Sequence, residues 1–209
     1  MEKTEMTANV ESHVHRDDVG SRMGMWLFLF TEVLLFGGMF LVYAVYRFQY
    51  SDQFRLAAME LNTGIGTLNT IILLTSSLTM AAAITAMQKG SKIVSKILLS
   101  STIIFALIFL VNKFFEWSAK ISHGIYPGSE ELLNKQNGEI LFFGLYYVMT
   151  GLHALHVIIG VVILVFMLVF ILKNKITADD NVKLENSGLY WHLVDLIWIF
   201  LFPLFYLIQ

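Results

Sequence analysis

Five runs of mostly apolar residues, each about the length of a bilayer crossing, alternate along this chain with short charged connectors. About 20 apolar residues in a helix span the hydrocarbon layer, so the pattern predicts transmembrane helices over residues 23–46, 61–87, 97–117, 140–172 and 189–208. The fourth run is longer than the bilayer is thick, and its helix is expected to tilt or to project into water. Connectors 47–60, 89–96 and 173–185 are short enough to make sequential helices antiparallel neighbours. The longer loop 120–139 carries His123-Gly-Ile-Tyr-Pro-Gly128, a turn signal, followed by Glu130, Glu131 and Glu139, and is expected to cover one mouth of the bundle. The fold class that follows is all-α: a polytopic bundle of five helices over residues 22–209, behind a polar tail at 1–21.

Composition agrees with a membrane solvent, since 56% of the 209 residues are hydrophobic and only 14% charged. The formal charge of −2 provides no basic stripe, which argues against a nucleic acid partner. Without cysteine the chain can form no disulfide, thiolate nucleophile, iron–sulfur cluster or Cys-ligated zinc. The tail contains Glu2, Glu5, Glu11, Asp17 and Asp18 and no apolar core, unlike a cleavable signal peptide. His13 and His15 within it read as solvated side chains rather than a metal site, because two imidazoles alone are a poor ligand set.

Positive flanks stay in the cytoplasm. Lys3, Arg16, Arg22, Lys89, Lys92, Lys96, Lys173, Lys175 and Lys183 fall on the N-terminal side, against Arg47, Arg55, Lys113, Lys120 and Lys135 opposite. The N-terminus is therefore expected in the cytoplasm and, after five crossings, the C-terminus outside it. Tyr43, Tyr46, Tyr50, Trp117 and Trp191 near the span ends fit an interfacial aromatic belt.

An ionisable group deep in a membrane helix costs roughly 2.5–3.5 kcal/mol on insertion scales, so each needs a partner or a purpose. Glu32 lies near the middle of the first span. It reads either as a proton-sensitive carboxyl or as a protonated acid hydrogen-bonded within the bundle. Lys113 and Glu116 share a helix face and are expected to pair near the outer interface, where long side chains snorkel. His153 and His156 in the fourth span, and His192 and Asp195 in the fifth, are each three residues apart. In the second pair the carboxylate could orient the imidazole. Each intramembrane histidine is expected to have a polar neighbour. Ligation of a b-type haem by His156 and His192 is the alternative. Thr70, Thr75, Ser76, Ser77 and Thr79 give the second span a hydroxyl-rich segment, suited to cross-helix hydrogen bonds or to a hydrophilic path.

In order and spacing, five segments together resemble subunit III of the haem-copper respiratory oxidases. They are Gly24-Met-Trp-Leu-Phe-Leu-Phe-Thr-Glu32-Val-Leu-Leu-Phe-Gly-Gly, Leu68-Asn-Thr-Ile-Ile-Leu-Leu-Thr-Ser-Ser77, Glu116-Trp, Thr150-Gly-Leu-His-Ala-Leu-His156-Val-Ile-Ile-Gly160 and Tyr190-Trp-His-Leu-Val-Asp195-Leu-Ile-Trp198-Ile-Phe. The resemblance implies a non-catalytic membrane subunit without a catalytic residue, metal or redox cofactor of its own. It would pack beside oxidase subunits I and II, which carry the haem and copper, in an oxidase that reduces oxygen and translocates protons. It further implies a bundle split by a phospholipid-holding cleft, and support of oxygen access and proton uptake. Glu32 matches the family's buried carboxylate, and Glu116, His153, His156, His192 and Asp195 match its recurrent polar positions. Long family members carry seven helices, and this chain resembles the short bacterial forms that begin at the third. A bacterial cytoplasmic membrane, a periplasmic C-terminus and a place in a larger respiratory supercomplex follow as expectations. A cytochrome c oxidase is the first reading of the complex and a quinol oxidase the second. An independent proton-coupled transporter using Glu32 is the reading without the resemblance.

Overall fold

Within lipid, backbone N–H and C=O groups find no water, so a segment that crosses must satisfy them internally, and helices do so. The computed structural model describes residues 18–177 and 180–208. Residues 1–17, with His13 and His15, lie outside the described residues. The helices are α1 (Asp18–Gln49), α2 (Ser51–Met59), α3 (Thr63–Gln88), α4 (Lys92–Ser122), α5 (Glu130–Leu133), α6 (Asn137–Leu172) and α7 (Val182–Tyr206). Five of them, α1, α3, α4, α6 and α7, are long and apolar enough to cross a membrane, so the chain is a multi-pass membrane protein.

Helix ends are written in local chemistry. Asn62 Oδ1 accepts from Ile65 N at 3.2 Å to start α3, and Ser129 Oγ accepts from Leu132 N at 3.2 Å to start α5. Three long helices end in the same paired-bond cap. Gly90 N donates to Met87 O and Ser91 N to Ala86 O after α3; Gly124 and Ile125 bond Ile121 and Lys120 after α4; Asn174 and Lys175 bond Ile171 and Phe170 after α6. The cap needs a left-handed residue just past the helix, and Gly90 (φ 78°), Gly124 (φ 73°) and Asn174 (φ 55°) supply it. Lys89, His123 and Lys173 stand immediately before these turns, where the negative helix end favours cations.

Helices α1, α4 and α7 extend a turn or more beyond their predicted apolar runs, because polar residues prolong them into the interface. α2 was not anticipated. Its inward residues Phe54, Ala57 and Ala58 are buried against the mouth formed by α1, α6 and α7. Loop 123–136 covers that same mouth: Tyr147 donates to Ile125 O at 2.7 Å, and Lys135 pairs with Glu60 and Glu139.

Helices α3, α4, α6 and α7 form the packed centre, whereas α1 touches α6, α7 and α2 but neither α3 nor α4 among the described residues. Most of α1 therefore faces outward, with Trp26, Phe30, Leu34 and Leu41 exposed, and apolar grooves of about 220 and 350 Å³ run between it and α7. At Gly160 a Cβ would lie 2.8 Å from the ring of Trp191, so the glycine lets α7 approach α6 closely.

Candidate functional site

Glu32 sits 14 residues into α1, about 21 Å along its axis at 1.5 Å per residue, and its side chain is only 14% exposed. It points at α6, where His156 Nε2 lies 2.9 Å from Glu32 Oε2. The other imidazole nitrogen, Nδ1, is 2.8 Å from the carbonyl of Leu152 one turn back. A carbonyl only accepts, so Nδ1 carries the hydrogen of that contact and Nε2 faces the Glu32 carboxyl. Phe36 closes edge-on over the imidazole, with centroids 5.4 Å apart, and Tyr190 Oη donates to the His156 carbonyl at 3.1 Å. The geometry joins α1 to α6 through the side-chain contact and α7 to α6 through the His156 carbonyl.

Three residues before His156 the environment changes. His153 is fully buried, edge-on to Phe109 and beside Trp198 at 5.2 Å, and neither ring nitrogen has a hydrogen-bond partner among the described residues. The expected polar neighbour is missing at this histidine. A shared face brings the two histidines close along α6, but their surroundings differ because Glu32 reaches only the one nearer α1.

A second cluster ties α4, α6 and α7 together. Lys113 Nζ donates to Glu116 Oε2 at 3.1 Å, Tyr146 Oη at 2.9 Å and Tyr206 Oη at 2.8 Å. Both tyrosine hydroxyls donate in turn to Glu116 Oε1, at 2.7 and 2.6 Å. All three ammonium protons are thereby used. Lys113 and Glu116 pair as expected, but they do not snorkel to water, since their side chains are 3% and 4% exposed. Two tyrosine hydroxyls from neighbouring helices solvate the charges in place of water. Tyr146 and Tyr206 were missed by sequence reasoning, although the hydroxyl of a buried tyrosine needs a hydrogen-bond partner.

The third set lies between α3 and α7. His192 Nδ1 meets Ser77 Oγ at 2.7 Å, and Ser77 also interacts with Asp195. The serine stands where sequence spacing suggested a direct His192–Asp195 bond, because it projects from α3 between them. The hydroxyl-rich face of α3 serves cross-helix bonding: Trp191 Nε1 donates to Ser76 at 3.1 Å, Trp198 Nε1 to Thr70 at 3.0 Å, and Thr79 meets Thr102 of α4 at 2.8 Å. No three His, Asp or Glu side chains converge into a metal-binding group among the described residues.

Comparison with known proteins places these polar sets in context. The sequence profile described as "Cytochrome c oxidase subunit III" matches residues 3–209. Cytochrome c oxidase subunit 3 of Corynebacterium diphtheriae is 30% identical over 189 residues, covering 90% of this chain and 87% of that protein. The subunit 3 of Thermostichus vulcanus is 28% identical over 206 residues, covering 97% and 94%. A heme-copper oxidase subunit I+III from Aeropyrum pernix is 31% identical over 193 residues, which cover 90% of this chain and 22% of that longer protein.

Proposed function

The chain belongs to the cytochrome c oxidase subunit III family, and from that premise we propose that it supports a catalytic neighbour by holding a mobile proton within the membrane at the Glu32–His156 pair. It is a membrane subunit of a haem-copper oxidase, the complex that reduces oxygen, and not the subunit that carries the chemistry. Relatives named as cytochrome c oxidase subunits favour cytochrome c over quinol as the donor of the whole complex. The relative whose name joins I and III in one protein supports subunit I as the adjacent partner. Subunit II, which with subunit I would carry the haem and copper, and a larger respiratory assembly complete the proposed surroundings.

The observation that carries the reading is the 2.9 Å contact between Glu32 Oε2 and His156 Nε2 on the sparsely covered helix α1. A carboxyl and an imidazole in hydrogen-bond contact can pass a proton between them with a small change in geometry, whereas a lone carboxylate at that depth is disfavoured by desolvation. Glu116, His153, His192 and Asp195 are assigned a structural part in this scheme, holding the helices that frame the pair. The apolar grooves flanking α1 suit phospholipid acyl chains and an apolar route for oxygen. Charge on the connectors supports a cytoplasmic N-terminus in a bacterial inner membrane. Burial of Lys113 leaves only Arg47, Arg55, Lys120 and Lys135 among the positive residues of the opposite side, which widens the asymmetry.

The test is Glu32→Gln in the assembled complex. The amide keeps a hydrogen bond to His156 but cannot carry the mobile proton. Assembly should persist while proton uptake slows or the number of turnovers before inactivation falls. Unchanged uptake and unchanged turnover lifetime would remove Glu32 from the function.

A further inference from the structure

Between α1 and α7, the groove of about 220 Å³ is walled by apolar side chains throughout, whereas the groove of about 350 Å³ has His192 in its wall. The larger volume falls in the range of small-molecule sites. Trp26 and Phe30, one turn apart on α1, form one side of it, and Leu189, Leu193 and Leu196 of α7 the other. Toward the helix ends, Arg22 pairs with Glu185 at 2.8 Å and Asn186 Nδ2 donates to Ser21 Oγ at 3.1 Å, so polar bonds bridge α1 and α7 on the water side. His192 lies seven residues, about 10 Å, below Glu185 along α7. Trp26, Phe30 and Leu196 are exposed, which opens the groove sideways to the bilayer.

The imidazole of His192 is half-buried and its Nδ1 is committed to Ser77 Oγ at 2.7 Å. Its Nε2 has no hydrogen-bond partner among the described residues, yet it is not sealed inside the protein. A polar nitrogen in an otherwise apolar groove is satisfied only by what occupies the groove. The chemistry of that occupant follows from what stands behind the ring. Ser77 Oγ has one hydrogen and also interacts with Asp195, which is 4% exposed, while a neutral imidazole has one donor and one acceptor nitrogen. With the serine hydrogen on the Asp195 carboxylate, Nδ1 donates to the serine and Nε2 is an acceptor. With Asp195 protonated and donating to the serine, the serine hydrogen turns to Nδ1 and Nε2 is a donor. The same three side chains thus let Nε2 meet a hydroxyl in one arrangement and a carbonyl in the other.

We propose that this groove binds one isoprenoid quinone, in its quinone or its quinol form. A ring oxygen bonds His192 Nε2, the flat ring lies against the indole of Trp26, and the isoprenoid chain leaves along Phe30 and Leu196 into the bilayer. A quinone carbonyl needs a donor and a quinol hydroxyl an acceptor, and the Asp195–Ser77–His192 chain can present either. An acyl chain offers no hydrogen-bonding atom at that depth and leaves Nε2 unfilled, and a phosphate or ammonium headgroup meets no opposite charge on these walls. The wholly apolar groove remains the one suited to an acyl chain. No electron transfer is assigned to this chain by such binding. Neither Glu32 nor His156 lines the groove, so the site stands whether or not that pair handles a proton.

The test uses the intact membrane assembly containing this chain, purified in mild detergent. A photoactivatable azido derivative of ubiquinone-2 is added and cross-linked, and the labelled peptides of this chain are mapped by mass spectrometry. Label should fall within residues 22–33 and 189–196. Unlabelled ubiquinone-2 or menaquinone-2 should displace it, and farnesol, an isoprenoid without the ring, should need roughly ten times the concentration or more. His192→Phe keeps a ring but removes the hydrogen bond, and should lower labelling at these segments about tenfold. Leu196→Trp, which fills the groove and spares His192, should lower it as well, and carries the test alone if His192→Phe fails to assemble. Label confined to other segments, equal labelling in wild type and the assembled variants, or displacement by farnesol at the same concentration as by the quinones would each overturn the proposal.

Discussion

Removing the Glu116 carboxylate leaves the Lys113 ammonium buried without its counter-charge, and breaking such a pair typically costs 3–5 kcal/mol. Glu116→Leu should therefore lower thermal stability strongly, whereas Lys113→Met with Glu116→Leu should recover much of the loss, because no charge is then stranded. Differential scanning of the wild type and the two variants checks the order, and a double variant worse than Glu116→Leu alone would contradict it. The residues behind this prediction were half legible. The i,i+3 spacing of Lys113 and Glu116 identifies the pair, but its place inside the bundle depends on Tyr146 and Tyr206, which come from α6 and α7. His153 was misjudged for the same reason: spacing along one helix cannot show that its neighbours are the rings of Phe109 and Trp198. Glu32 was legible as an oddity, and its partner His156, 124 positions away, was legible only as a separate candidate.

At the scale of elements, close approach and its absence make opposite predictions. Gly160→Ala drives a methyl toward Trp191 at 2.8 Å, while at Gly37 a Cβ meets nothing within 4 Å. Overpacking of this kind costs about 1–3 kcal/mol, so Gly160→Ala should lower the melting temperature and Gly37→Ala should leave it nearly unchanged. Loop 123–136 supplies a pH prediction. Burial disfavours the Lys135 ammonium, but the hydrogen bond and charge of Glu60, with Glu139 added, outweigh it and hold its pKa above the ordinary 10.5. A raised folded pKa stabilises below the unfolded value and the benefit is lost as pH rises through the folded one. Amide exchange across residues 124–136 should therefore quicken, beyond its intrinsic base catalysis, above about pH 10.5. That excess should be absent in Lys135→Met. The five long helices were readable because lipid demands long apolar runs. α2 was not, since Phe54, Ala57 and Ala58 form one short buried stripe among charged positions.

For the molecule as a whole, an edge helix carrying the Glu32–His156 pair, a packed four-helix centre and a mouth strapped by a loop are consistent with a subunit that serves a neighbour. Apolar patterning made the bundle and its number of crossings readable. It could not reveal that α1 stands apart from α3 and α4, because outward and inward faces of a membrane helix are both apolar. The central claim is that this chain works within a haem-bearing oxidase while holding no haem itself. It is tested most directly by isolating the tagged chain from its native membrane and recording the absorption spectrum and subunit masses of what accompanies it. The account predicts co-isolation with a larger haem-bearing subunit, and a spectrum that disappears when the chain is separated from it. A stable assembly of this chain alone, with no haem protein bound, would contradict it.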